Sequence, residues 1–223
     1  MRGPELDMWL SEGYFRMRQE VFTCQFVPSN DGFLSAFWLR IVLSDVRYGP
    51  KQNRLLRINE PFTALAKPFA LTRELETLYA TYRASLDFET FASVKDCLLG
   101  DDVHNRFDTQ LIEVRDAGRL IAVGIFDNGT NSIMGILNFY DPQYARHSLG
   151  KYLMLLKLQY AQQTGRAFYY PGYLVVGNPK FDYKLFACKA ATELYEDNTG
   201  QWLPFAWDTV NALTTDRMRE FGL

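Results

Sequence analysis

Apolar residues recur along the chain with two different periods, and the period separates helices from strands. Spacing of three and four positions runs over residues 71–86, where Thr72 is placed to cap a helix. A weaker helical pattern covers residues 88–98. A third helix is predicted to open near Ser148 and to end at Gly165. The central part of the sequence therefore predicts three helices.

Strand patterns alternate with these helices. Three runs rich in β-branched and aromatic residues predict a meander of neighbouring antiparallel strands: residues 109–115, 119–126 and 132–140. Residues 127–129, with the sequence Asp-Asn-Gly, predict the second turn, because Asn and Gly tolerate positive φ. A fourth strand follows the third helix at residues 166–176. Pro171 and Gly172 predict a bulge or a splayed edge in its middle.

The amino-terminal part alternates short apolar runs with turn residues. Residues 5–62 therefore predict strands, with a hairpin turn at residues 28–32. Together with the later elements this gives the α+β class, a mixed but mainly antiparallel sheet flanked by helices. We divide the chain into an N-terminal β-rich module, residues 1–65, and a larger domain, residues 66–223.

Composition adds a core and one basic stretch. Of the 223 residues 48% are apolar and 15% aromatic, enough for a sizeable core. The formal net charge of -2 argues against indiscriminate nucleic-acid binding but leaves a local patch possible. Residues 40–57 are strongly basic, and a solvated surface is the alternative explanation. The candidate nucleic-acid-binding residues are Arg40, Lys51, Arg54 and Arg57.

Several classes of protein are disfavoured. Cys24, Cys97 and Cys188 are scattered singly, so they predict neither a disulfide framework nor a metal knuckle. His104 and His147 have no ligand-spaced partners, and we predict no metal and no cofactor. A signal peptide and a membrane-spanning run are not recognised, so we expect a cytoplasmic protein without a membrane partner.

Two segments carry a resemblance to a known family. Residues 138–142, Asn-Phe-Tyr-Asp-Pro, followed by Ala145-Arg-His-Ser-Leu-Gly-Lys-Tyr152, are similar to the Tyr-Phe-Asp-Pro and Arg-x-Ser-Leu-Gly elements of the aminoacyl-tRNA-protein transferases. Tyr169-Tyr-Pro-Gly-Tyr173, with Tyr183-Lys184, resembles the family's next two elements. Looser likeness in residues 10–16 and 39–57 extends the match, in order, over nearly the whole chain.

The resemblance implies a fold and an activity. The order of three antiparallel strands, a helix and a strand is that of the GNAT N-acyltransferase core. The family is expected to transfer an aminoacyl group, arginyl or leucyl, from charged tRNA to the α-amine of an acceptor protein. Its acceptors begin with acidic residues. The implied partners are aminoacyl-tRNA and an acceptor N-terminus, and the sequence leaves open which aminoacyl group and which acceptors are used.

Such a transfer needs a deprotonated amine, a polarised carbonyl and aligned substrates. Asp141 is a candidate to accept the proton or to bind the ammonium, and the alternative is a turn residue ahead of Pro142. Tyr140 and Tyr173 are candidates to donate to the developing oxyanion, and the alternative for each is core packing. These three residues are the predicted catalytic groups.

A predicted helix start offers a place for an anion. Free backbone N–H groups and the helix dipole favour a phosphate there, with Arg146 and Lys151 beside them. The alternative is an N-cap at Ser148 with solvated charges. The candidate substrate-binding residues are Arg146, Ser148, Gly150, Lys151, Tyr170 and Lys184.

Departures from the family keep two other functions open. Only Cys24 lies where the family carries a cysteine cluster, and Val175-Val176 stand where it has basic residues. One alternative is an N-acyltransferase that uses acyl-coenzyme A, although Lys151 after Gly150 breaks the usual glycine spacing. The other alternative is a non-catalytic relative that acts as a binding module.

Overall fold

The computed structural model describes residues 1–29 and 32–222, and the structural statements below concern those residues. Six α-helices and eleven strands alternate along the chain: α1 (Pro4–Ser11), β1 (Phe15–Met17), β2 (Glu20–Phe22), β3 (Phe26–Ser29), β4 (Gly32–Val42), α2 (Pro50–Asn59), β5 (Thr63–Pro68), α3 (Arg73–Arg83), α4 (Val94–Leu98), β6 (Thr109–Asp116), β7 (Arg119–Asn128), β8 (Ser132–Tyr140), α5 (Leu149–Gln163), β9 (Phe168–Val175), β10 (Thr192–Glu196), β11 (Gln201–Pro204) and α6 (Trp207–Phe221). Two 3-10 segments matter below, Pro142–His147 and Pro179–Phe186.

One mixed sheet organises these elements. Its strand order is β11-β10-β4-β9-β8-β7-β6-β5, with β3 paired to β4, and β1 and β2 form a separate hairpin. Only β8 and β9 pair in parallel, whereas the other neighbours are antiparallel. Helix α5 joins the parallel pair after the β6–β8 meander. The predicted α+β class and GNAT-like order are therefore confirmed.

The second turn of the meander differs from its prediction. Strand β7 continues through Asn128, because the Asp127 carboxylate is fully buried and accepts hydrogen bonds from Arg16 at 2.9 Å and from Thr109 Oγ1 at 2.5 Å. The turn follows at residues 129–131. Gly129 is needed there for space, since a Cβ would lie 2.0 Å from Asp7 Oδ1.

The three predicted helices are present with different boundaries. Helix α3 begins as predicted, and the Thr72 side chain accepts the N–H of Leu75 over 3.2 Å. Helix α4 is shorter than its pattern and starts at a Ser93 cap. Helix α5 buries eight residues against the sheet. Ser148 occupies the N-cap position, as the alternative interpretation has it, but this residue is left-handed (φ 48°) and its side chain makes no capping bond.

The amino-terminal region is less β-rich than predicted. Helices α1 and α2 occupy part of residues 5–62, each with a proline in its first turn. The predicted hairpin is formed by β3 and β4, and residues 30–31 of its turn lie outside the described residues. Strand β4 lies between β9 and β10, and the predicted boundary at residue 65 falls inside β5. The two predicted units thus share one sheet.

The sheet is covered on both faces. Helices α2 and α5 pack over one cluster that includes Ile121, Phe126 and Leu153, and α3 and α4 cover a second with Leu78 and Phe139. Across the described ranges, the helices lack the combination of length and apolar content that crossing a bilayer requires.

A gap between β8 and β9 interrupts the sheet. The two strands pair only where residues 132–134 meet residues 168–170. Further along, β8 stays with β7 while β9 stays with β4. The predicted irregularity at Pro171 and Gly172 is confirmed by a register shift opposite them in β4. Gly172 has φ +103°, and a Cβ there would lie 3.2 Å from Lys184 Cε.

Candidate functional site

A cavity of about 760 Å³ opens beside the sheet gap. Its walls come from the end of α3, the last residues of β8, the start of α5 and the 3-10 segment Pro179–Phe186. It brings together residues that are far apart in sequence, namely Tyr82, Asn138, Tyr140, Ser148, Gly150, Lys151, Phe181, Tyr183 and Lys184. Five of the candidate residues from the sequence are in this set.

The start of α5 faces this cavity. The N–H of Tyr152 donates to Ser148 O over 3.1 Å, so the N–H groups of Leu149, Gly150 and Lys151 precede the first bond within the helix. Unpaired N–H groups at the positive end of a helix dipole favour an anion. Lys151 is exposed and adds a full positive charge, with its Nζ 5.0 Å from the Phe186 ring centroid.

Lys184 is the buried cation of the site. Its side chain is only 8% exposed, and its Nζ lies 4.6 Å from the ring centroid of Phe181, 4.8 Å from that of Tyr183 and 5.8 Å from that of Tyr173. Burial lowers the pKa of this amine to about 7, while Asp182 opposes the shift. Lys184 therefore titrates in the neutral range.

A second cavity, about 250 Å³, occupies the gap between β8 and β9. Its walls are mostly aromatic and apolar, with Phe15, Phe22, Trp38, Met134, Ile136 and Tyr173 among them. Phe181, Tyr183 and Lys184 line both cavities. Lys184 thus lies between the two cavities.

Among residues 1–29 and 32–222, no aspartate or glutamate lines either cavity. The larger one carries Lys151, Lys180 and Lys184, of which Lys180 pairs with Asp87 at 3.2 Å. The smaller one also touches Arg16, whose guanidinium is bound to Asp127. The site is therefore suited to anionic and apolar ligand groups and poorly suited to a cationic one.

Asp141, a predicted catalytic residue, does not reach either cavity. Its side chain is buried, accepts the N–H of Gln143 over 2.9 Å and pairs with Arg119. These contacts cap the 3-10 segment Pro142–His147. The structure thus corrects the catalytic prediction in favour of the turn role, because the carboxylate is already occupied by that turn.

The three candidate tyrosines are separated. Tyr140 lines the larger cavity, with its ring 5.1 Å from that of Tyr82. Tyr173 lines the smaller one and stacks on Phe181 at 5.4 Å. Tyr170 is buried in the core and lines neither, which differs from its predicted role in substrate binding.

Three of the predicted nucleic-acid-binding residues lie together on one helix. Helix α2 carries Lys51, Arg54 and Arg57 on exposed positions, and it lies against the site because Gln52 Nε2 donates to Phe186 O over 2.6 Å. Its last residue reaches the Pro142–His147 segment, where Asn59 Nδ2 donates to His147 O over 3.1 Å.

Two other predicted binding residues, Arg146 and Arg40, lie outside both cavities. Arg146 is exposed on the Pro142–His147 segment but lines neither cavity. Arg40 is engaged elsewhere, because it pairs with Glu193 at 2.5 Å and stacks near Phe168 and Trp202. Arg40 is therefore removed from the predicted nucleic-acid surface.

Sequence reasoning missed several lining residues. Tyr82 was assigned to a helix face, and Trp38 and Phe15 to strands without a role. The cluster of Phe181, Tyr183 and Phe186 around Lys184 is visible in the sequence and could have drawn attention to a partly apolar site. In the described part of the chain, no three His, Cys, Asp or Glu side chains form a group able to hold a metal ion.

Comparison with known sequences adds a family. Residues 69–187 match the family described as "Arginine-tRNA-protein transferase, C terminus". The chain is 30% identical to an aspartate/glutamate leucyltransferase of Xanthobacter autotrophicus over 198 residues, which cover 82% of this chain and 78% of that protein. It is 28% identical to the aspartate/glutamate leucyltransferase of Paracoccus denitrificans over 215 residues, 90% of this chain and 74% of that protein.

Solved structures show more distant likeness. L-PGS from Bacillus licheniformis aligns with a TM-score of 0.46 at 14% identity, over 79% of this chain and 53% of that one. A GCN5-related N-acetyltransferase from Kribbella flavida aligns with a TM-score of 0.39 at 16% identity, over 76% of this chain and 54% of that one. Similarity at this level carries no functional conclusion.

Proposed function

Because this chain belongs to the aminoacyl-tRNA-protein transferase family, we propose that it moves a leucyl group from charged tRNA to proteins that begin with aspartate or glutamate. The relatives named above are aspartate/glutamate leucyltransferases. The observation that carries the proposal is that the described residues lining both cavities include no carboxylate, whereas the larger cavity has several lysines.

The lining of the cavities favours leucyl over arginyl. A buried guanidinium needs a carboxylate partner or several acceptors, since an unpaired buried charge costs several kcal/mol (about 3–5 when one partner of a buried pair is lost). The smaller cavity offers Phe22, Trp38 and Met134 instead. A leucyl side chain would bury its apolar surface there without an unmet charge.

The larger cavity suits the 3′ end of the donor tRNA. Ser148, Gly150 and Lys151 line it at the start of α5, where a phosphate of the terminal nucleotides would meet free N–H groups. Lys51, Arg54 and Arg57 on the adjoining α2 extend this positive surface and would contact the acceptor stem. Arg146 adds a further charge at its rim.

The acceptor N-terminus would enter through the larger cavity, beside the 3′ end of the tRNA, because the leucyl side chain would occupy the gap between β8 and β9. Tyr140 lines the larger cavity and Tyr173 the smaller one, and Lys184 lines both. Either phenol could then donate to the oxyanion as the amine attacks. The acidic side chain of the acceptor is drawn to a site that contains cations but no carboxylate. Because charged tRNA is found in the cytoplasm, we place the activity there.

Transfer assays with purified full-length chain test this proposal. Peptides that begin with Asp, Glu, Asn or Arg are incubated with tRNA charged with labelled leucine or arginine, and the labelled peptide is measured. We expect label in the Asp and Glu peptides from leucyl-tRNA only. Efficient arginyl transfer would refute the leucyl assignment, and no transfer from either tRNA would refute the activity.

A matched pair of variants tests the donor cavity. Lys151→Met removes a charge that lines the cavity, and we expect the KM for leucyl-tRNA to rise about tenfold. Lys189→Met removes an exposed lysine that lines neither cavity and should leave the KM unchanged. If both variants had the same KM for leucyl-tRNA, this would count against placing the tRNA 3′ end in the larger cavity.

A further inference from the structure

Lys184 has surroundings that an ordinary binding lysine lacks. Its amine lies in a box of aromatic rings at the junction of the two cavities. No hydrogen bond and no ion pair of its Nζ is found among residues 1–29 and 32–222. A charged amine in such a position is poorly stabilised, because the ring faces replace only part of its lost hydration.

The groups around it leave the amine free to change its charge. The titratable and charged groups of other elements that line the same cavities are Tyr82, Tyr140, Lys151, Tyr173 and Arg16. Its own segment contributes Lys180, Asp182 and Tyr183. Asp182 favours protonation of the amine, but burial dominates and lowers its pKa to about 7. Near neutral pH a substantial fraction of the amine is therefore uncharged.

The other buried lysine is not equivalent. Burial likewise lowers the pKa of Lys157 to about 7. Its Nζ, however, donates to the carbonyl oxygens of Ile125 at 2.7 Å and Leu137 at 3.4 Å. Those bonds hold the Lys157 amine in the core. Since no His, Asp or Glu of the described part of the chain lines either main cavity, Lys184 is the buried group there that can accept a proton.

We propose that Lys184, in its uncharged form, is the general base that takes the proton from the acceptor's α-amine as this amine attacks the aminoacyl ester. The inference rests on the proposed leucyl transfer and assigns its proton path. At the junction of the two cavities, the donor ester, with its leucyl side chain in the smaller cavity, would meet the acceptor amine that approaches through the larger one. Nζ would contact the attacking nitrogen, which makes Lys184 a catalytic residue.

The step balances without a further reactant. The neutral α-amine forms a C–N bond to the ester carbonyl carbon, and its nitrogen releases one proton to Lys184 Nζ. The bond between that carbon and the ribose oxygen breaks. The ribose oxygen leaves with the proton returned by the lysine. Lys184 thus ends in the state in which it began, and the products are an amide and a free ribose hydroxyl.

The rate of single-turnover transfer as a function of pH tests this role. Leucyl-tRNA and an Asp-initiated peptide are saturating, and rates are measured from pH 5.5 to 8.5. Both the acceptor amine, with a pKa of about 8, and Lys184 must be uncharged. In the wild type, the logarithm of the rate should therefore approach a slope of two at low pH.

Lys184→Arg keeps the positive charge but cannot lose its proton in this range. We expect a rate at least about 100-fold lower, and a slope of one at low pH. Lys184→Met should lose a similar factor. Lys189→Arg, an exposed lysine outside both cavities, serves as the matched control and should follow the wild type.

The outcomes separate this inference from the function on which it rests. If the wild type transfers no leucine, the proposed function fails. If it does and Lys184→Arg keeps a rate within threefold with the wild-type profile, Lys184 is not the base; a lysine that only pairs with the acceptor carboxylate would give this result. Should Lys184→Arg not fold, a wild-type slope of one at low pH would overturn the proposal.

Discussion

At the scale of single residues, buried lysines make the stability of this protein depend on pH. Lys157 is 1% exposed, and its pKa falls from 10.5 to about 7 because burial disfavours the ammonium. In the unfolded chain the amine regains its usual pKa. Between these two values the unfolded state holds more protons, so the free energy of unfolding rises with pH over that window.

Lys157→Met removes this proton linkage. Between pH 7 and 10, the difference between the free energies of unfolding of wild type and variant should increase in favour of the wild type. The increase should be up to about 1.4 kcal/mol per pH unit. Lys184 contributes equally to both proteins and cancels in the difference. Urea denaturation at several pH values measures this difference in free energy of unfolding, and Lys189→Met serves as the exposed control. Parallel curves for wild type and Lys157→Met would show that Lys157 is charged in the folded protein.

At the scale of elements, the Asp7 carboxylate connects α1 to the turn between β7 and β8. Asp7 accepts the N–H groups of Thr130 at 2.9 Å and Asn131 at 2.8 Å, and the hydroxyl of Ser132 at 2.5 Å. It therefore satisfies the turn between β7 and β8. The close approach leaves no room for a side chain at Gly129.

A double-mutant cycle tests this attachment. Asp7→Ala should lower the free energy of unfolding by about 1–3 kcal/mol, since it leaves turn donors without their acceptor. Gly129→Ala should cost a similar amount in the wild type, because its Cβ would clash with the Asp7 carboxylate. In the Asp7→Ala background it should cost at least about 1 kcal/mol less. Additive losses would mean that Gly129 is needed for another reason.

Helices and strands are predicted correctly from the sequence where a single element buries a regular stripe of apolar residues. Helix α3 repeats its apolar positions and begins at Thr72, so its pattern suffices. Helix α1 buries only Leu6 and Leu10, and such a short stripe does not stand out from a strand pattern. The turn at Asp127 was misplaced because its partner, Arg16, is 111 residues away in sequence.

The site shows the same limit. Residues at the start of α5 were found from the sequence, because an anion site at a helix end is local. The burial of Lys184 was not, because it depends on Gly172 and on rings from β9 that only the fold brings together. Asp141 was assigned chemistry since the sequence does not reveal that Arg119 and the Gln143 N–H occupy it.

At the scale of the whole molecule, a chain with a net charge of -2 must bind a polyanion through one side. Lys51, Arg54 and Arg57 are exposed on α2, and none of them forms an ion pair among the described residues. Through Gln52 and Asn59, helix α2 contacts the two 3-10 segments that contribute walls to the larger cavity. We therefore expect its three cations to contact the tRNA whose 3′ end enters that cavity.

Replacing these three cations with glutamine tests whether they bind tRNA. Each phosphate contact contributes about 0.7–0.9 to the magnitude of the slope of log K against log salt concentration. The magnitude of this slope should therefore be smaller by about 2 to 3 in the triple variant. At low salt the affinity of the triple variant for tRNA should fall more than tenfold, with the rate at saturating tRNA unchanged.

The matched control replaces Arg73, Lys95 and Arg219, which are exposed on other helices. If both variants lose the same slope, binding follows net charge alone and α2 has no special place in it. A loss confined to the α2 variant would mean that an acidic protein directs tRNA to its site by the position of a few charges.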